Sequence, residues 1–136
     1  MSGAKSARLS KEASDDPTPT DVQLAAARFR GLSAETRGCA VLGPQGKLLA
    51  STGDAAGWRE PALALLEAAD SAAGEAMSHA HVATEDGEVY VVREAGLAMV
   101  AVTERFTLSS LTISDMRSSL RELRRAAAAQ AESRAA

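Results

Sequence analysis

The chain has 136 residues, of which 46% are hydrophobic and 3% aromatic, and its formal charge is −3. That length suits one compact domain, and its core has to be built from Leu, Val, Ala and Met. A mildly acidic balance argues against nucleic acid as a partner, and no run approaches the ~20 apolar residues of a membrane span.

The single cysteine, Cys39, rules out an internal disulfide. The first twenty residues hold no apolar stretch of signal-peptide length. A soluble, cytoplasmic protein without membrane or nucleic-acid partners is expected.

Residues 1–19 are rich in Ser, Ala, charge and Pro, with Leu9 the only large aliphatic after Met1. Such a stretch buries too little to offset its ordering entropy and reads as a disordered tail. The domain is expected over residues 20–127. Thr20-Asp21-Val22-Gln23 matches a capping box. Val22, Ala25, Ala26, Phe29 and Leu32 follow at helical spacing, and Gly31 marks the helix end.

Residues 38–54 read GCAVLGPQGKLLASTGD. Gly46-Lys47 glances toward a phosphate-binding loop, but that loop needs a glycine where Val41 stands and a hydroxyl where Leu48 stands. Two short apolar runs flank the turn, with Pro44 suited to a type I turn and Gly46 to a following left-handed position. The stretch is a β-hairpin.

Asp54 is placed to cap a second helix of about twenty residues, or the helix begins near Arg59 or Glu60, since Pro61 is tolerated only in a first turn. Trp58, Ala62, Leu65, Leu66, Ala69, Ala73 and Met77 form its apolar stripe. Strands follow at 79–85 and 89–92, joined by an Asp86-Gly87 turn. A third, at 97–102, is continuously apolar and reads as covered on both faces.

The last helix starts between Thr107 and Thr112 on Ile113, Met116, Leu120, Leu123 and Ala127. Residues 128–136 are expected to fray. The fold class is α+β: an antiparallel five-stranded sheet with helices on both faces, in the order α-β-β-α-β-β-β-α.

No catalytic or metal constellation emerges, so no enzyme, cofactor or metal site is expected. His79 and His81 lie on one strand face, but a structural zinc site needs four ligands. Cys39 sits in an apolar strand as a small hydrophobe. Ser109, Ser110, Ser114, Ser118 and Ser119 lack any G-x-S-x-G context, and Glu85, Asp86 and Glu88 read as a solvated turn rather than a calcium loop.

Arg117, Arg121, Arg124 and Arg125 read as an ordinary solvated face. The candidate contact surface is on the second helix, at Trp58, Arg59, Glu60, Leu63, Glu67, Asp70 and Ser71. Trp58 is there either as an interface residue or as an anchor on the sheet.

GLSAETRGCAVLGPQGKLLAS (31–51) and GLAMVAVTERFTLSSLTISDMRSSLREL (96–123) resemble the Roadblock family, named for a dynein light chain and including bacterial partners of small Ras-like GTPases. The likeness runs from about Val22 to Leu123. It departs at 107–110, where the family often has a small-residue or Asn-Leu-Gly turn. The resemblance implies a central fifth strand and homo- or heterodimers built through the second helix and third strand. It also implies a non-catalytic role as scaffold or regulator of a small GTPase. Profilin-like domains share the element order, and the alternative is a small-molecule sensor of that architecture.

Overall fold

A computed structural model describes residues 17–53 and 55–135; the expected tail up to residue 16 and the Asp54 cap lie outside them. The elements are α1 (Pro19–Gly31), β1 (Thr36–Leu42), β2 (Leu48–Gly53), α2 (Arg59–Ala73), β3 (His79–Thr84), β4 (Gly87–Glu94), β5 (Leu97–Thr103) and α3 (Ser109–Ala135). The five strands form one sheet in the order β2-β1-β5-β4-β3, antiparallel throughout.

The expected continuous apolar strand is the central one, and every residue of β5 is buried. Residues on alternate positions of a strand face opposite sides, and the core divides accordingly. Cys39, Val41, Tyr90, Val92, Met99 and Ala101 face α1 and α3, where they meet Val22, Phe29, Met116, Leu120 and Leu123. Ala40, Leu42, Val89, Val91, Val100 and Val102 face α2 and its Ala62 and Leu66.

Several local expectations change. The first helix is capped by Thr18, whose hydroxyl accepts the Asp21 N–H at 3.1 Å, not by Thr20. Pro19 is the reason: its preset φ and missing N–H suit the first helical position. Leu32 lies past the helix end and is exposed. In the first hairpin Gln45 has φ 63° and Gly46 φ 76°, so the turn has the positive φ of type II at Gln45 rather than type I.

The second helix is shorter than its apolar stripe suggested. A 3-10 turn at Ala56–Trp58 precedes it, and Gly74 (φ 76°) ends it. Met77 therefore lies beyond the helix, and Ala73 is exposed. The last helix stays helical to Ala135, through the stretch expected to fray. Gln130 there donates to the Asp21 carboxylate at 2.7 Å, tying this end to α1.

Candidate functional site

The seven candidate residues around α2 divide by what they touch. Arg59 Nε donates to the Gly46 carbonyl at 2.7 Å, which ties the start of α2 to the first hairpin. Asp70 accepts from the Met77 N–H at 2.7 Å and the Arg93 guanidinium at 3.0 Å. Arg93's hydrogen bond, then that N–H, hold the Asp70 carboxyl below its ordinary range.

Trp58 and Leu63 are half-buried against the α2-side core. Glu60, Glu67 and Ser71 point outward. Their spacings of seven and four residues place them along one helix stripe. The structure thus makes Arg59 and Asp70 fasteners of the helix and leaves Glu60, Glu67 and Ser71 as its free polar stripe.

Beside α2 lies β3, an outer strand of the sheet. On its unpaired side an edge strand presents N–H and C=O groups that can pair with another chain. The sequence of β3, HAHVAT, carries no Lys or Pro to discourage such pairing. Ala80 and Val82 face the α2 side, and Val82 is 37% exposed. At the opposite edge β2 is likewise paired on one side only, with α1 packed over the face of β2 and β1.

A cleft of about 580 Å³ opens between the tips of the β1–β2 and β4–β5 hairpins. Gln45, Gly46, Leu63, Leu66, Arg93 and Leu97 are among its walls. Leu63 belongs both to this cleft and to the α2 surface, so the two are continuous.

On the other side of the sheet is a buried polar network that sequence reasoning missed. Glu88, expected in a solvated turn, is 7% exposed. Its carboxylate accepts the Thr107 N–H at 2.8 Å and the Thr107 hydroxyl at 2.7 Å, and lies 2.9 Å from His81 Nε2. Tyr90 Oη lies 2.6 Å from the Thr107 hydroxyl, and the Tyr90 ring stacks on His81 with centroids 4.1 Å apart.

Burial alone would raise the Glu88 carboxyl. The hydrogen bonds from Thr107 and His81 together outweigh it and hold the group below its ordinary range. The network fixes the residue after Phe106, whose φ is 64°. A left-handed backbone costs a bulky residue about 1 kcal/mol or more. The only sequence signal was a carboxylate in β register with an aromatic two residues on.

The other candidates have structural roles. His79 and His81 share a face, but His79 lies 3.1 Å from the Arg117 guanidinium while His81 is held by Glu88. Among the described residues no three His, Cys, Asp or Glu side chains are placed to hold a metal. Burial pushes the Cys39 thiol up to about 12, which leaves it without thiolate character.

Ser109 lies 3.3 Å from Tyr90 Oη. Arg121 donates to Glu94 at 2.6 Å and Arg124 to the Ala95 carbonyl at 3.1 Å, so these arginines fasten α3 to the β4–β5 hairpin. No helix among the described residues is long and apolar enough to cross a membrane.

No family description matches the sequence, and no curated protein does. Solved structures do. A Roadblock/LC7 domain from Streptomyces avermitilis superposes with TM-score 0.66 at 14% identity, covering 75% of this chain and 93% of its own. MglB from Myxococcus xanthus gives 0.64 at 11% identity, covering 82% and 91%. The fold is that of the Roadblock/LC7 domain. A profilin solved with rabbit actin, LokiProfilin1, has the same architecture at TM-score 0.56 and 12% identity, covering 79% and 97%. In this chain β5 is central and, among the described residues, α2 is the one α-helix on its face of the sheet.

Proposed function

We propose that the chain is a non-catalytic dimeric regulator or scaffold that binds a small Ras-like GTPase in the cytoplasm. The observation that carries this reading is the outer strand β3 beside the helix α2, within a Roadblock/LC7 fold. Two copies, or this chain and a paralogous one, pair β3 with β3 and pack α2 against its counterpart. On its outer side α2 carries the exposed alanines Ala64, Ala68 and Ala72, which permit close helix approach. Glu60, Glu67 and Ser71 are free to meet the GTPase.

A non-catalytic partner shifts a nucleotide-state equilibrium only through different affinity for the two states. The test is an affinity capture from native lysate, once with GDP and once with a non-hydrolysable GTP analogue. One small GTPase, enriched in a nucleotide-dependent way, is the expected result. Equal recovery leaves a scaffold and removes the switch-reading mechanism. Recovery of none in either state contradicts the GTPase reading.

The cleft of about 580 Å³ between the hairpin tips favours a second reading, a small-molecule sensor of profilin-like architecture. It is lined by Leu63 and Leu66 but by no aromatic residue, whereas ligand pockets are usually rich in them.

A further inference from the structure

The β5–α3 connection carries three exposed apolar side chains within six residues. Phe106, Leu108 and Leu111 are 84%, 72% and 56% exposed. Isolated exposed apolar residues are ordinary; what distinguishes this segment is the support beneath it. Phe106 holds φ 64°, a region that bulky residues avoid. Glu88 grips the N–H and hydroxyl of the next residue, Thr107, at 2.8 and 2.7 Å. Tyr90 closes on the same hydroxyl at 2.6 Å.

A buried carboxylate and a buried tyrosine thus hold an aromatic ring out in water on a strained backbone. Rigid, strained presentation of this kind is characteristic of contact sites.

The surroundings select the occupant. Beside the ring is a cleft of about 530 Å³, lined by Ala83, Thr84, Glu85, Glu88, Arg105 and Phe106. The Arg105 guanidinium lies 4.7 Å over the Phe106 ring and keeps its charge. Glu85 and Asp86 make no side-chain ion pair, and Glu104 reaches Arg37 only at 4.0 Å. Glu85, Asp86 and Glu104 outnumber the cations here, Arg105 and Arg37, the latter donating to the Asp86 carbonyl at 2.9 Å, so the corner is net acidic. That disfavours an anionic bilayer and a carboxylate-rimmed groove alike, and favours a basic rim.

We propose that residues 105–111 form a docking knob for a second protein, one offering a concave apolar groove edged by lysine or arginine. Phe106 is the anchor. Leu108, the residue before α3, and Leu111 in its first turn are three apart, lie on one side and line the contact. The proposal does not depend on how α2 and β3 are used.

The test places the photo-cross-linker p-benzoylphenylalanine at Leu111 of the full chain, in its native host. The expected product joins it to a different protein, at a site where apolar residues are flanked by Lys or Arg. Phe106→Asn keeps the backbone, because Asn accepts the left-handed region, and an unchanged or raised melting temperature will show it. That variant should lower the adduct yield at least about fivefold and weaken binding to the purified partner about tenfold. Charge reversal, Glu85→Lys with Asp86→Lys, should also weaken it, with reduced salt dependence. The proposal is overturned if the adduct forms only with a second copy or with lipid, if none forms, or if Phe106→Asn leaves its yield unchanged.

Discussion

The two faces of the sheet are finished differently. Two helices close one face: Val22, Phe29, Met116, Leu120 and Leu123 are each at most 4% exposed. The other face has α2 alone, whose only fully buried side chains are Ala62 and Leu66. Trp58, Leu63 and Leu65 remain half-buried there, and Val82 is exposed beside them. The α1–α3 face is sealed at its centre, and the α2 face leaves half-buried apolar side chains beside an unpaired strand edge. That combination is what the proposed second chain would cover.

The largest expected effect comes from the closed face. Leu120→Ala should cost about 3 kcal/mol, because neighbours held by two helices cannot collapse into the cavity. Leu63→Ala, on the open face, should cost about 1 kcal/mol or less in the monomer, where solvent already reaches the side chain. Urea unfolding of both variants measures the difference, and equal costs would mean that the faces are equally closed.

Next is Gly53→Ala. Gly53 has φ 62°, and an added Cβ would stand 2.0 Å from the Arg37 carbonyl oxygen, a backbone atom. The loss should be at least about 2 kcal/mol, with β2 freed from β1, as amide exchange along β2 would show.

Glu88→Gln should cost about 1–2 kcal/mol, since the Thr107 N–H and hydroxyl lose a charged acceptor. The same network predicts a pH dependence. The folded Glu88 carboxyl lies below its ordinary value, so its contribution is complete above about pH 4.3 and is lost as the pH falls through the lower, folded value. Wild-type stability should therefore fall more steeply on acidification than that of Glu88→Gln. Parallel pH profiles would mean that the carboxylate contributes no charge-dependent stability.

The parts legible in the sequence are those that a period or an unbroken apolar run dictates. Leu97–Val102 reads as doubly covered, and it is the central strand. Met116, Leu120, Leu123 and Ala127 repeat at helical spacing, and they are buried. What the sequence hid depends on partners distant along the chain. Glu88 looks like part of an acidic turn because nothing local reveals Thr107, nineteen residues on. Arg59 and Asp70 look like one polar stripe with Glu60 and Glu67, yet each is drawn inward by a contact with another element. Thr18, the observed cap, is obscured in the sequence by the neighbouring Thr20, which fits a capping box.

The smallest effect on the monomer is expected from Val82→Lys, and it bears on the main claim. On an exposed edge it should change monomer stability by no more than about 0.5 kcal/mol, while bringing two like charges into a β3–β3 seam. Sedimentation equilibrium of the wild type and this variant is the direct measurement. Two chains of 14.0 kDa give 28.0 kDa for the wild type (14.0 × 2), and the variant should fall to 14.0 kDa with an unchanged circular dichroism spectrum. A wild type that stays at 14.0 kDa at every concentration and gains no mass with a paralogous chain would contradict the account, as would a variant that stays dimeric.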